Sequence, residues 1–288
     1  MRLLEVTLSL GLMAMMSPAQ VQTMSPPAGM TDDSCLPPMQ GPPPGMAASI
    51  LQPGAKPPVM GPISDNDPQL KAYLKKHTED MLRDYGGLCH FKSANAAQLE
   101  SGSPRVVLTG DSITALWEMG DPSLFSGRTI DRGIGGQTSP QMLVRFYQDV
   151  VALKPEVVHI MAGTNDLAGN TGPNSPEDFK NNIRAMVDLA QANGIKVIVA
   201  SILPVDRFTW RPDLHPAEQV RKLNAWLREF AAERGIVFAD YYSAMATDSG
   251  GLKPELSNDG VHPTTRGYAV MRPIFEQAVN SALKERGS

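Results

Sequence analysis

One short stretch constrains this chain more than any other: Val106-Val107-Leu108-Thr109-Gly110-Asp111-Ser112-Ile113-Thr114, where an apolar run meets Gly-Asp-Ser and a helix-forming segment follows. An apolar run of this length bounded by glycine reads as a buried strand. A serine placed straight after it is lifted to the carboxyl edge of a sheet, where open α/β folds keep their chemistry. Far downstream, Asp259-Gly260-Val261-His262 holds a carboxylate and an imidazole three positions apart. A hydroxyl, an imidazole and an acid are the parts of a nucleophilic relay.

The surrounding pattern is regular α/β. Near-continuous apolar segments predict strands over 105–109, 129–131, 157–162, 195–201 and 236–239, as in parallel strands covered on both faces. Helices fill the gaps. Ser139-Pro140 starts one, with Leu143, Phe146, Val150 and Leu153 inward. Ser175-Pro176-Glu177-Asp178 supplies a cap, a proline at the first helical position and first-turn acids, with Phe179, Ile183, Met186 and Ala190 facing the core. Asn193-Gly194 ends that helix. A third follows Pro216, with Val220, Leu223, Leu227 and Phe230 inward and Gly235 after it. The alternation predicts a doubly wound parallel sheet of about five strands with right-handed crossovers.

Upstream the composition changes. Thirteen of the 25 prolines lie between Pro18 and Pro68, so residues 20–66 read as a Pro-rich flexible linker. Residues 1–19 read as a signal peptide: Arg2, then apolar Leu8 to Met16, then Ser17-Pro18-Ala19 as the cleavage site, with Glu5 the one residue out of character. The alternative is an uncleaved anchor, although the apolar run is too short to span a bilayer. Export implies a secreted or periplasmic protein with no membrane span after cleavage. No cysteine directly follows the cleavage site, which argues against a lipoprotein. Residues 67–103 read as an N-terminal helical extension: Asp67 caps, Pro68 opens, Leu70, Tyr73, Leu74, His77, Met81 and Leu82 share one face, and Gly86-Gly87 stops it. Residues 104–288 form the α/β domain.

Cys35 and Cys89 are the only cysteines, and an even count in an exported chain predicts one disulfide; two unpaired thiols are the alternative. Neither has metal-ligand spacing to another donor. A net charge of −4 and the absence of any Lys/Arg run beyond Lys75-Lys76 exclude an electrostatic nucleic-acid binder.

In a sheet of this kind the loops after the strands share one rim. Ser112 is the candidate nucleophile there, His262 its base, and Asp259 the group that holds the imidazole. The backbone N–H groups of Ser112 and Gly136 and the side-chain amide of Asn165 are candidate donors to a developing oxyanion. Gly133-Ile134-Gly135-Gly136 is no dinucleotide fingerprint, because Thr138 stands where the last glycine belongs.

Gly110-Asp111-Ser112-Ile113, Gly133-Ile134-Gly135-Gly136, Gly163-Thr164-Asn165-Asp166 and Asp259-Gly260-Val261-His262 resemble, in order, the four blocks of the SGNH/GDSL hydrolases. The resemblance implies a three-layer α/β/α, flavodoxin-like fold and ester hydrolysis without metal or other cofactor. It assigns Ser112, Gly136, Asn165 and His262 to the family's signature positions, with Asp259 completing the triad. Ile113 replaces the usual leucine, and Asp131 stands where many relatives carry asparagine.

Several residues have plainer readings. Asp166 reads as a cap, His159 as a core histidine, His90 as structural, Gln137 and Ser139 as loop and cap residues, and His215 as a loop residue near the rim. Trp117, Trp210 and Arg211 are candidate contacts to a sugar face or acyl group, with ordinary packing the equal alternative. The leading expectation is removal of short acyl groups, acetyl foremost, from glycan or small-molecule esters through an acyl-enzyme. An O-acyltransferase using the same serine is the near alternative. An inactive glycan-binding module, or flavin phosphate binding at the Thr109–Thr114 loop, represents other classes; Asp111 would repel a phosphate there.

Overall fold

Strands β1 (Val106–Gly110), β2 (Thr129–Gly133), β3 (Val157–Ile160), β4 (Lys196–Ala200) and β5 (Val237–Ala239) form one parallel sheet in the order β2-β1-β3-β4-β5. The structure is a computed structural model that describes Cys35, residues 44–56 and residues 68–284, all within one unit, Cys35–Ser288. Every strand expected from the sequence is present, with ends shifted by one or two residues, the usual uncertainty at element termini. The chain steps from β1 outward to β2, then returns to the other side of β1 for β3. That reversal opens a crevice at the carboxyl ends of β1 and β3.

The helices, in chain order, are α1 (Pro44–Leu51), α2 (Pro68–Arg83), α3 (Lys92–Ser101), α4 (Ser112–Gly120), α5 (Ser139–Asp149), α6 (Thr164–Ala168), α7 (Pro176–Ala192), α8 (Ala217–Arg234), α9 (Tyr241–Met245) and α10 (Thr265–Lys284). They cover both faces of the sheet, giving three α/β/α layers. Side chains alternate across a strand: Val107 joins the core formed with α5, α7 and α8, while Val106 and Leu108 join the core formed with α1, α4, α9 and α10. Phe179, Ile183, Met186 and Ala190 of α7 are buried, as are Val220, Leu223, Leu227 and Phe230 of α8. Burying each of the larger side chains contributes about 1.5–3 kcal/mol. Ser175 and Asp178 form a reciprocal capping box at the start of α7, and Gly235 ends α8 with a left-handed φ of 59°.

The linker reading of 20–66 is corrected over part of its length. Residues 44–51 form α1, and Ala47, Ile50 and Leu51 are buried against the core. The signal was a helical i, i+3, i+4 apolar spacing hidden in a proline-rich composition. The signal-peptide segment 1–19, and the linker apart from Cys35 and residues 44–56, lie outside the described residues.

Two further differences concern helices. In α2, Leu82 is 75% exposed rather than inward; the side chains of Leu70, Tyr73, Leu74 and His77 lie outside the described set, as does the Asp67 cap. Helix α5 stops at Asp149, and residues 151–153 form a 3-10 turn that still buries Val151 and Leu153. The inward face of α5 also holds a fully buried ion pair, Arg145–Asp149 at 3.0 Å. A buried pair survives where its remaining hydrogen bonds are met. Arg145 donates to Gln137 Oε1 (2.6 Å) and the Gly110 carbonyl (3.0 Å), and Asp149 accepts from Asn95 Nδ2 (2.7 Å).

Cys35 and Cys89 are joined by a disulfide with Cα atoms 5.2 Å apart. The loop carrying Cys89 is closed by Asp84, whose carboxylate accepts from the backbone N–H groups of Leu88 and Cys89, both at 2.8 Å.

Candidate active site

At the end of β1 the chain turns into α4 within one residue. Asp111 is the N-cap, its Oδ1 accepting from the Ile113 N–H at 2.9 Å. Ser112 therefore occupies the first helical position, its N–H among the unpaired donors of a helix start. The turn is tight because β2 ends against it. A Cβ on Gly133 would lie 2.3 Å from the Ala115 nitrogen, so only glycine fits.

The base arrives on the loop between α9 and α10. Ser112 Oγ lies 2.9 Å from His262 Nε2, and His262 Nδ1 lies 2.7 Å from Asp259 Oδ2. A carboxylate can only accept, so Nδ1 carries the proton and Nε2 is left to receive one from Ser112. Asp259 Oδ1 accepts from the backbone N–H groups of Val261 (2.9 Å) and His262 (2.8 Å) and from Ser257 Oγ (3.2 Å). An antiparallel bridge between Ser257 and Pro263 closes the loop. Asn258 anchors it from outside, its Nδ2 donating to the carbonyls of Ser49 (2.9 Å) and Gln52 (2.7 Å) at the end of α1, with the Ile50 carbonyl sharing one of the two hydrogens at 3.2 Å.

Burial alone would raise the Asp259 carboxyl, but His262 and the N–H donors outweigh it and hold the group at about 2. Burial pulls the other way on His262, where the charge and hydrogen bond of Asp259, with Asp111 behind, leave the imidazole raised above 6.5. Asp111 is pushed up to about 6 by burial, against the pull of its Ile113 hydrogen bond and of His262.

Gly136 sits in the turn after β2 with φ +77°, a conformation that suits glycine. The next residue, Gln137, offers its carbonyl to Asn165 Nδ2 at 3.0 Å, and that nitrogen also lies 3.3 Å from Asp111 Oδ2. The fold thus gathers Ser112, Gly136, Asn165, Asp259 and His262 from four separate loops onto one rim. Gln137 is a loop residue, as expected, and is held from two sides: Arg145 donates to its Oε1, and its Nε2 donates to the Gly86 carbonyl at 3.0 Å. An Arg and an Asp four apart on an otherwise apolar helix face was the available signal for that support.

The substrate-contact reading of Trp117 is corrected. Its ring is fully buried, stacked on Tyr268 at 5.5 Å and edge-on to His159 at 6.3 Å, because five residues into α4 the side chain points at α10 and the sheet. Trp210 is half-buried; its indole N–H donates to Asn170 Oδ1 (3.1 Å). Arg211 donates to the Ala168 carbonyl (2.9 Å) and pairs with Asp213 (3.2 Å). His159 is a core histidine, Nε2 2.9 Å from the Tyr241 hydroxyl and held at about 3 by burial. Asp166 caps α5 from across the crevice, accepting from the Ser139 N–H (3.0 Å) and Oγ (2.5 Å). His215 is exposed on a cleft of about 320 Å³ that it lines with Asp166, Phe179 and Lys222. Asp131 accepts from the Gly133 N–H (2.6 Å), while its second oxygen is buried without a partner among the described residues; burial raises this carboxyl to about 8.

A family model of GDSL-like lipases/acylhydrolases matches residues 108–270. A crystal structure from Bacteroides fragilis, provisionally assigned as an acylhydrolase, is 44% identical with a TM-score of 0.67, covering 70% of this chain and 99% of that one. Over 240 residues the chain is 25% identical to an acetylxylan esterase of Xylanibacter ruminicola, covering 71% of this chain and 48% of that protein. Over 79 residues it is 35% identical to the uncharacterised lipoprotein YqeF of Bacillus subtilis, covering 26% and 32%. It therefore spans about half or less of the length of these two curated relatives. Because the matched segment runs from β1 into α10 and contains all three members of the serine–histidine–aspartate relay, this chain belongs to the GDSL-like lipase/acylhydrolase family.

Proposed function

We propose that the chain is a serine esterase that removes short acyl groups, acetyl foremost, from carbohydrate or other small esters. The observation that carries this reading is the unbroken relay Ser112 Oγ–His262 Nε2–His262 Nδ1–Asp259 at 2.9 and 2.7 Å. His262 Nε2 takes the Ser112 proton as Oγ attacks the ester carbon. The carbonyl π-bond opens onto oxygen, and the resulting oxyanion is met by the N–H groups of Ser112 and Gly136 and by Asn165 Nδ2. Collapse expels the alcohol with the proton from His262 and leaves an acyl-Ser112. Water then attacks that ester, giving a proton to His262; the second intermediate collapses by breaking the bond to Ser112 Oγ, which takes the proton back from His262 Nε2 as the acid departs. Asp259 keeps the ring oriented and offsets the imidazolium charge.

The likeness to an acetylxylan esterase supports an acetylated carbohydrate as substrate. The Cys35–Cys89 disulfide, together with the leader-like segment 1–19, supports a secreted or periplasmic location. No described helix is long and apolar enough to cross a membrane.

The test is hydrolysis of p-nitrophenyl esters from acetyl to long-chain, together with acetate release from acetylated xylo-oligosaccharides, by the wild type and Ser112→Ala. Rates should be highest on acetyl, fall with chain length and vanish in the variant. Turnover retained by Ser112→Ala would refute the assignment.

A further inference from the structure

Asn165 can stabilise an oxyanion only if the nitrogen end of its amide faces the rim. The two ends of an amide are nearly isosteric, so packing alone hardly distinguishes them. A hydrogen-bond chain does. Trp210 Nε1, which can only donate, gives its proton to Asn170 Oδ1 at 3.1 Å. Asn170 Nδ2 must then face the other way, and it donates to Asn165 Oδ1 at 2.7 Å. That leaves Asn165 Nδ2 toward the rim, where one hydrogen goes to the Gln137 carbonyl at 3.0 Å and the other toward Asp111 at 3.3 Å. An indole that only donates stands at one end of the chain and a carbonyl that only accepts at the other, so its direction is set.

The backbone holds the intermediate residues in register. The Asn170 N–H donates to the Asn165 carbonyl at 3.1 Å, and Arg211 donates to the Ala168 carbonyl at 2.9 Å. The loop after β4 therefore grips the turn after β3 at two points. We infer that Trp210 and Asn170 are positioning residues for the reaction: they fix the polarity of the Asn165 amide so that Nδ2 faces the developing oxyanion. The inference rests on the esterase reading above. The longer 3.3 Å contact to Asp111 is the one a developing oxyanion takes over.

The test uses the full chain and p-nitrophenyl acetate. Asn170→Asp removes the donor to Asn165 Oδ1 and puts a carboxylate oxygen there, which favours the reversed amide. It should lower kcat on the order of 100-fold, the scale of a lost oxyanion donor, with KM changed less than about twofold. Asn170→Ala frees the amide without reversing it and should lose about tenfold, the scale of one neutral hydrogen bond. Trp210→Phe keeps the ring against Phe208, 5.1 Å away, and should lose a similar amount with an unchanged melting temperature. Inhibition by phenylboronic acid, which forms a tetrahedral adduct at the serine, should weaken in parallel with kcat/KM.

Wild-type kcat in Asn170→Asp and Trp210→Phe would overturn the inference, as would losses that appear only in KM or melting temperature. If Asn170→Asp does not fold, Trp210→Phe decides alone. Ser112→Ala is assayed alongside: if it is inactive while the Asn170 and Trp210 variants are fully active, only the positioning inference fails. If Ser112→Ala stays active, the esterase reading fails and takes the positioning role of Trp210 and Asn170 with it.

Discussion

Asn258 donates to the Gln52 carbonyl at 2.7 Å, joining the loop of the catalytic acid and base to the end of an N-terminal helix 206 residues away. The same amide reaches the Ser49 and Ile50 carbonyls, and its Oδ1 accepts from the Gly54 N–H at 3.1 Å. One side chain thus meets two of the open carbonyls in the last turn of α1 and, because it neighbours Asp259, braces the loop of the catalytic acid. Asn258→Ala should destabilise the protein by about 1–2 kcal/mol, a fall of a few degrees in melting temperature. It should also lower kcat several-fold, because the Asp259 loop loses its outer anchor. Thermal melts and steady-state kinetics of the one variant check both.

Turnover requires neutral His262, so activity should rise with pH as the imidazole loses its proton. Asp259 raises this pKa, which places the rising limb of kcat/KM above pH 6.5. Asp259→Asn removes the raising charge. It should shift the limb to lower pH while cutting kcat on the order of 10⁴-fold. A pH profile of wild type and variant tests the sign: an unshifted or alkaline-shifted limb would contradict the electrostatic account.

Asp131 is an acid whose folded-state pKa is raised from 3.8 to about 8 by burial. Below pH 3.8 it is protonated both folded and unfolded. Between the two values only the unfolded chain releases the proton, so stability falls as pH rises, by at most about 1.4 kcal/mol per unit. Asp131→Asn keeps an acceptor for the Gly133 N–H and has nothing to ionise. Its melting temperature should exceed that of the wild type by a margin that widens from pH 5 to pH 8.

Arg145 is buried and bonds Gln137, Asp149 and the Gly110 carbonyl together. Arg145→Ala leaves a buried carboxylate short of its partner and should cost about 3–5 kcal/mol. Kinetics at low temperature, where the variant stays folded, should also show reduced kcat, because Gln137 supplies the carbonyl that Asn165 uses. Chemical denaturation measures the first effect.

Much of this arrangement was legible in the chain. The strands showed as apolar runs, and the inward faces of α7 and α8 as helical spacing, because burial repeats with the period of the element. Ser112, Asp259 and His262 stood out because a relay needs those residue types beside a strand end and on a loop. Residues whose role depends on contacts between distant segments were not legible. Trp117 looked like a rim aromatic, yet the direction of α4 turns it into the core. The segment around α1 looked like linker because proline dominated its composition, while its three buried side chains met their partners only in the fold.

The sequence by itself determined the alternating strand–helix order and which residues could act as nucleophile, base, acid and oxyanion donors. These follow from periodicity and from side-chain chemistry, both local. Only the tertiary structure decided the 2.9 Å approach of Ser112 to His262, the burial of Arg145 beneath the Gly136 turn, and the direction of the chain from Trp210 through Asn170 to Asn165. Distances and hydrogen-bond polarity are set by segments far apart in the chain, and no local pattern encodes where those segments meet.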